Sequence, residues 1–85
     1  MYVLVFTDTA KKQIDKLDAR LRQQVDNGLL RLAKNPRSGK PLRGELKGVW
    51  SERVATFRIL YRIQEQKLEV VVLVVEHRKS VYGGH

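Results

Sequence analysis

The sequence predicts an α+β fold in which an N-terminal strand and a helical hairpin precede an antiparallel β-meander that packs on the helices. Between residues 10 and 32 apolar residues recur at a spacing near 3.6, which is typical of amphipathic helices. From Val49 onward the apolar spacing changes to two, which is typical of strands. A length of 85 residues provides one core, so we expect a single domain over residues 1–85.

The N-terminal half is predicted to contain one strand and two helices. Residues 2–6 form an apolar run rich in β-branched and aromatic side chains, which favours a strand. The polar residues 7–9 and Asp18 can each cap a helix, because their oxygens accept hydrogen bonds from the free N–H groups of a first turn. The apolar stripes of the two helices are Ala10, Ile14 and Leu17, followed by Leu21, Val25, Gly28, Leu29 and Leu32. Asn35-Pro36 is predicted to end the hairpin.

A loop marked by Gly39, Pro41 and Gly44 leads into three predicted strands over residues 49–54, 57–63 and 68–76. The connections at 55–56 and 64–67 are short, so consecutive strands should pair antiparallel. The third strand is apolar on both faces and should therefore be central. If the helices cover one face of this sheet, the other face is free for function.

Alternation along the strands decides which side chains lie on that open face. The apolar residues at 57, 59, 61 and 63 should face the helices. The open face then carries Ser51, Arg53, Arg58 and Arg62. Glu52 falls on the helix side, where we expect a lysine or arginine of a helix to pair with it.

The positive charge of the chain is concentrated in its middle third. The net charge is +8, from 17 Lys and Arg against nine Asp and Glu, and residues 36–62 carry seven basic groups against two acidic ones. Such a footprint predicts a polyanionic partner. All three cations within residues 49–63 are arginines, whose planar forks match phosphate oxygens. With Arg78 and Tyr82 returning after the last strand, we predict a face that grips the backbone of RNA.

Other classes of protein are disfavoured. The chain has no cysteine, which excludes disulfides and thiolate metal sites and fits a reducing cytoplasm. No apolar run approaches the ~20 residues of a membrane span, and the N-terminus carries no basic leader, so we expect a cytoplasmic protein without a membrane partner. Two separated histidines do not predict a metal site.

Four stretches carry a resemblance that covers nearly the whole chain: the helical hairpin ending at Asn35-Pro36, then GKPLRGELKG, VWSERVATFRILYRI and EHRKSVY. In this order they resemble the RelE/ParE superfamily of toxins from type II toxin–antitoxin systems, and within it the RelE branch. The resemblance implies a RelE-like microbial RNase toxin fold. It implies an endonuclease that enters the ribosomal A site and cleaves mRNA by attack of a 2′-hydroxyl on the adjacent phosphate, with no metal or other cofactor. It also implies an acidic, RelB-like antitoxin as partner.

The resemblance assigns roles to four residues by position. Arg58 corresponds to a strand arginine that holds the scissile phosphate, and Arg53 to a basic position that neutralises the same phosphate. Arg78 corresponds to an arginine near the leaving 5′-oxygen, and Tyr82 to a tyrosine that stacks on or orients the base. The further RNA contacts are expected at Arg43, Lys47, Ser51, Arg62 and Lys79.

The general base, the group that removes the proton of the attacking 2′-hydroxyl, has no clear counterpart in this sequence. Ser51 stands where the best-known members carry a lysine proposed for this role. A loop position that supplies a glutamate base in another subfamily corresponds to Lys40, which makes Glu45 a poor candidate. The remaining candidate acid–base groups are Lys47, just before the strand, and His77, although alternation places His77 and Arg78 on opposite sides of the sheet.

Two other functions stay open at this point. One is a ParE-like toxin that blocks DNA gyrase, and the other is an RNA- or ribosome-binding module whose catalytic residues have decayed. The arginines with Tyr82 favour the enzyme, because gyrase poisons typically lack this arginine–tyrosine end. The serine at position 51 favours the decayed module.

Overall fold

A computed structural model describes residues 1–78 and shows two helices packed on one face of a mixed sheet. In chain order the elements are β1 (Val3–Phe6), α1 (Asp8–Asp15), α2 (Ala19–Lys34), β2 (Lys40–Pro41), β3 (Trp50–Val54), β4 (Phe57–Gln64) and β5 (Glu69–His77). Within the described residues the strands lie in the order β1-β5-β4-β3-β2. The predicted α+β class and the antiparallel meander β3-β4-β5 are confirmed.

Both helices begin where the capping side chains predict. Thr7 Oγ1 accepts a hydrogen bond from the Ala10 N–H at 3.1 Å, and Asp18 Oδ1 accepts one from the Leu21 N–H at 2.9 Å. These caps satisfy donors that the first turn of a helix leaves free. α2 ends at Lys34, directly before Asn35-Pro36. The predicted hairpin is therefore confirmed.

The core lies between the helices and the inner face of the sheet. Its largest fully buried side chains come from α2, β4 and β5, and they are Tyr61, Leu32, Ile59, Val25, Val70 and Val72. Along β4, buried residues alternate with more exposed ones, as the predicted alternation requires. β5 is paired on both sides, parallel to β1 and antiparallel to β4, so its apolar character on both faces is explained.

A β-bulge in β5 shifts the alternation of that strand. Leu60 pairs with Val74 and Tyr61 with Val72, which leaves Leu73 as the extra residue. Residues three positions apart on a regular strand face opposite sides of the sheet. The shift lets Val72 and Val75 both lie in the core in spite of this spacing. It also brings Glu76 opposite Arg58 on the open face.

The loop after α2 contains a short strand that the sequence analysis did not predict. β2 pairs antiparallel with β3, with Lys40 opposite Ser51 and Pro41 opposite Trp50. Tyr61 of β4 fixes the start of this loop, because its hydroxyl donates a hydrogen bond to the Pro36 carbonyl at 2.6 Å. An added Cβ at Gly39 would lie 2.3 Å from the Tyr61 hydroxyl and 2.7 Å from the Ser51 carbonyl oxygen. Only glycine allows the loop to approach β3 this closely.

A second contact ties the same loop to the far end of the sheet. Arg37 forms an ion pair with Glu65, and the Tyr2 hydroxyl donates a hydrogen bond to Glu65 Oε1 at 2.5 Å. The Tyr2 hydrogen bond and Arg37 together lower the pKa of the Glu65 carboxyl. Because these groups are largely exposed, their contacts position the loop but add little to the free energy of unfolding.

We expect Gly28→Ala to destabilise the protein, because a Cβ at position 28 would lie 2.4 Å from Cγ2 of buried Val54. Overpacking of this kind costs about 1–3 kcal/mol, and the better helix propensity of alanine offsets at most ~1 kcal/mol of it. Urea unfolding measures the difference. Arg20→Ala, at an exposed position of the same helix, is the control and should change stability by less than ~0.5 kcal/mol. Equal stability of the glycine and alanine proteins would contradict this packing.

We expect Tyr61→Phe to cost about 1–3 kcal/mol of unfolding free energy near pH 7, because the buried Pro36 carbonyl loses its donor. Tyr2→Phe removes a hydrogen bond of similar length at the surface and should cost much less. Urea titrations of the three proteins make the comparison. Equal losses in the two variants would show that the Tyr61 hydrogen bond does not fix the loop.

The same tyrosine should make stability depend on alkaline pH. Burial, followed by the negative charge of Glu52, raises the pKa of Tyr61 to about 12. Above about pH 10 the unfolded chain releases this proton while the folded protein keeps it, so stability falls between pH 10 and 12, by on the order of 2–3 kcal/mol. Tyr61→Phe lacks this dependence. The difference in unfolding free energy between wild type and Tyr61→Phe should therefore become smaller between pH 9 and 11. Urea midpoints of both proteins across that range would measure it.

Candidate nucleic-acid interface

Two cross-strand rows organise the open face at the β2-β3-β4 end of the sheet. The first row contains Lys40, Ser51 and Leu60, and the second contains Arg53, Arg58 and Glu76. Residues directly opposite each other on neighbouring strands project to the same side, with Cβ atoms about 5 Å apart. The predicted placement of Ser51, Arg53 and Arg58 on one face is consistent with this register.

These rows border a basic cleft of about 530 Å³ between the loop after α2 and the sheet. Its lining residues are Ser38, Gly39, Lys40, Leu42, Ser51, Glu52, Arg53 and Arg58. Arg53 is exposed, whereas Arg58 is half-buried and its Nε atom is inaccessible to solvent. Arg58 thus forms the inner wall of the cleft, and Arg53 reaches its solvent side.

The charges around the cleft leave it positive. Arg53 and Arg58 are directly opposite each other on β3 and β4, an arrangement of like charges that destabilises a sheet. Glu52 points away from them, and its Oε2 lies 3.6 Å from an Arg31 guanidinium nitrogen on α2. This pairing confirms the expected helix partner for Glu52. Arg53 and Arg58 therefore give the cleft a positive lining, which suits an anionic ligand such as a phosphate.

Arg78 is held at the turn that joins the strands of Arg53 and Arg58. Its backbone N–H donates to the Thr56 carbonyl at 2.8 Å, and its guanidinium donates to the Ala55 carbonyl at 3.3 Å. Both acceptors belong to the tight turn between β3 and β4, where Ala55 has a φ of +54°. Arg78 consequently lies against the β3–β4 turn, whose flanking strands carry Arg53 and Arg58.

His77 takes the opposite side of the strand. Its ring packs edge-on against Phe57, with the ring centres 5.3 Å apart, and Phe57 belongs to the core. The alternation that separates His77 from Arg78 is therefore present in the structure. The contact with Phe57 is a structural one and places the imidazole away from the basic cleft.

Three other predicted contact residues lie outside the lining of the basic cleft. Arg43 and Lys47 flank the short turn Gly44–Leu46 and are exposed. Arg62 is exposed further along β4, beside Gly48. These side chains extend the positive surface without entering the cleft. Lys79 and Tyr82, also predicted at the site, lie outside the described residues.

Lys40 is the basic residue that lines the cleft without having been predicted as a site residue. The signal that would have found it is its pairing with Ser51, which places its side chain on the open face. That pairing depends on a two-residue strand next to a proline, and so short an element has no recognisable periodicity.

Residues 1–78 contain no group of three His, Asp or Glu side chains arranged to hold a metal ion. Neither described helix is long and apolar enough to cross a membrane.

Known proteins resemble this chain in both sequence and structure. The RelG toxin of Mycobacterium tuberculosis is 43% identical over 83 residues, which are 95% of each protein. The toxin–antitoxin complex RelBE2 of M. tuberculosis contains a chain that matches with a TM-score of 0.84 at 42% identity, over 91% of each chain. The isolated RelE toxin of E. coli matches with a TM-score of 0.78 at 27% identity, over 91% of this chain and 84% of that one.

The family model described as the ParE toxin of the type II toxin–antitoxin system parDE matches residues 4–82. This match spans nearly the whole chain. The alignments with RelG and with the chain of the RelBE2 complex also cover nearly all of it. The fold, with its N-terminal strand, helical hairpin and meander, is the one that the RelE structures share. The chain therefore belongs to the RelE/ParE superfamily and is a RelE-like toxin of a type II toxin–antitoxin system.

Proposed function

We propose that this toxin is a ribosome-dependent mRNA endonuclease that cleaves codons in the A site and so inhibits translation. The observation that supports it most is the pair Arg53 and Arg58, brought together across two strands inside an open cleft. Two guanidiniums carried by directly paired strand positions can bind the oxygens of one phosphodiester. Like charges directly opposite each other on neighbouring strands destabilise a sheet, and a bound phosphodiester would offset this repulsion.

The reaction is an internal transfer at phosphorus. The 2′-hydroxyl of one nucleotide loses its proton and its oxygen bonds to the adjacent phosphorus. The bond from phosphorus to the 5′-oxygen of the next nucleotide then breaks, and that oxygen takes up a proton. The products are a 2′,3′-cyclic phosphate and a free 5′-hydroxyl.

The residues around the cleft divide this work by position. Extra negative charge develops on the phosphate oxygens in the transition state, where fixed donors act most strongly. Arg58, half-buried in the inner wall, is suited to hold these oxygens, and Arg53 to neutralise them from the solvent side. Arg78, fixed at the turn after β3, lies where it can face the leaving oxygen. Tyr82 is proposed to stack on the substrate base, as RNA-binding aromatic residues do.

Exposed cations outside the cleft would extend the grip on the RNA backbone. Arg43, Lys47 and Arg62 surround the site on the loop and on β4, and Lys79 follows the last strand. Contacts of this kind add affinity that is independent of sequence and sensitive to salt. They suit a substrate that the ribosome presents as single-stranded mRNA.

The proposed partner in the resting cell is an acidic, RelB-like antitoxin. The matching M. tuberculosis structure is a toxin–antitoxin complex, and residues 36–62 of this chain carry five more basic than acidic groups. An acidic segment of the antitoxin would complement this surface. A ribosomal target places the toxin in the cytoplasm.

A second candidate is poisoning of DNA gyrase. The observation in its favour is that the matching family model is described for ParE toxins. The paired arginines in the cleft favour the endonuclease, because a phosphodiester substrate accounts for both of them.

We expect Arg58→Ala and Arg53→Ala each to reduce cleavage of a translated message by on the order of 10²–10³, as the loss of one oxyanion donor does in other enzymes. Primer extension on mRNA from translation reactions would locate and quantify the cuts. Arg20→Ala removes an exposed arginine from α2 and should cut at the wild-type rate. Melting temperatures would confirm that all variants are folded.

The outcome of induction in cells separates the candidates. Growth arrest with cuts inside codons supports the endonuclease. Growth arrest with intact mRNA and gyrase-linked DNA breaks would overturn it in favour of the gyrase poison. No arrest by the wild-type protein would indicate a binding module without activity.

A further inference from the structure

We propose that Arg31 of α2 positions the carboxylate of Glu52 and thereby keeps the basic cleft available to RNA phosphate. Without Arg31, this carboxylate would compete with the phosphate for the arginines that line the cleft. The inference deepens the proposed function and takes RNA from it as the ligand. Arg31 would act through Glu52 alone, because it lies on the helix layer and is not among the residues that line the cleft.

Glu52 is the one acidic residue in the lining of the basic cleft as residues 1–78 define it. Its charge opposes that of the three cations in the same lining, which are Lys40, Arg53 and Arg58. A carboxylate beside a guanidinium can form the same paired hydrogen bonds that a phosphate forms with it. Glu52 is therefore a competitor for the phosphate site unless its carboxylate is held elsewhere.

The end of β2 explains how a residue on the helix side of β3 borders the cleft. Within the described chain, β2 pairs with β3 only at Trp50 and Ser51, and β3 continues to Val54. Side chains from both faces of β3 can border the space beyond this uncovered edge, and Glu52 and Arg53 both do so. A glutamate side chain at such an edge is long enough to turn toward either face.

The ion pair with Arg31 sets the observed position of Glu52. Oε2 of Glu52 lies 3.6 Å from a guanidinium nitrogen of Arg31. The Glu52 side chain is 15% exposed and that of Arg31 is 56% exposed, so the carboxylate is the more desolvated partner. A shielded charge that loses its partner is costly to the protein. Removal of Arg31 would therefore favour a new pairing of this carboxylate, and Arg53 is the next residue of the strand.

The contact between α2 and β3 brings Arg31 to this position. Gly28, three positions earlier on the helix, packs against Val54 of β3 with no room for a Cβ, and residues at this spacing lie on the same side of a helix. The charge of Glu52 on the helix side is also apparent at Tyr61, because burial and then this charge raise the pKa of Tyr61 to about 12. The helix-side position of Glu52 thus follows from the packing of the two layers.

Arg22 provides a matched comparison on the same helix. It lies 4.0 Å from an oxygen of Asp15 and 3.8 Å from one of Asp26, so it is also paired with carboxylates. None of these three residues lines the basic cleft. Arg22→Ala therefore removes the same charge from the helix layer without releasing a carboxylate at the cleft.

The test is a double-mutant cycle on binding of a fluorescent single-stranded RNA whose 2′-hydroxyls are methylated, so that it cannot be cut. Fluorescence anisotropy at low salt measures the affinity. Arg31→Ala should weaken binding on the order of three- to tenfold, as expected for one competing charge within a Debye length of the phosphate. In the Glu52→Gln background, which has no carboxylate to hold, the same substitution should change the affinity by less than about twofold. Arg22→Ala should change it by less than about twofold in either background.

Cleavage of a defined mRNA on purified ribosomes gives a second measurement of the same cycle. Arg31→Ala should raise the toxin concentration that gives half the maximal single-turnover rate. The rate at saturating toxin should stay close to wild type, because binding and not the chemical step is affected. Arg31→Lys keeps a cation beside Glu52 and should recover most of the lost affinity.

Equal losses from Arg31→Ala with and without the Glu52 carboxylate would overturn the positioning role, and so would a loss no larger than that of Arg22→Ala. Either result leaves the endonuclease function intact if the wild-type protein cuts mRNA. A wild-type protein that shows the predicted cycle in RNA binding but cuts no message would instead overturn the proposed function and retain the role of Arg31. Melting temperatures would show that each variant is folded.

Discussion

The hydrogen bond from Tyr61 to the Pro36 carbonyl is the interaction on which the candidate site depends. Tyr61 is fully buried on the helix-facing side of β4, yet its hydroxyl reaches the loop that leaves α2. A buried phenol needs such a partner, and a buried carbonyl needs such a donor, so each satisfies the other. One side chain thereby links the helix layer, the sheet and the loop that forms one wall of the basic cleft.

The alternation of side chains along the strands positions both the core and the candidate site. On β4, Phe57, Ile59 and Tyr61 pack under the helices, and Arg58 between them projects to the open face. Moving Arg58 by one position would bury a guanidinium and expose an apolar residue, so the core fixes which side chains lie on the open face. The bulge in β5 performs a related task, because it changes the alternation of that strand and brings Glu76 opposite Arg58.

Much of this arrangement could be predicted because its elements are long or capped. Two helices of repeated apolar spacing, the caps at Thr7 and Asp18, and the alternation along β4 each leave a clear pattern in the sequence. The Glu52–Arg31 pair followed from the same alternation. The bulge and β2 left no such pattern, since one extra residue and a strand of two residues produce no periodicity.

What could not be predicted is also what completes the site. Arg53 and Arg58 lie on strands whose positions the core determines, whereas Lys40 lies on a strand that exists only because Gly39 and Tyr61 hold the loop against β3. The two arginines and Lys40 are thus positioned by different parts of the fold. A substitution that loosens the loop would disturb the position of Lys40 and leave both arginines on their strands. The packing of this loop against β3 therefore decides the position of the wall of the basic cleft that carries Lys40.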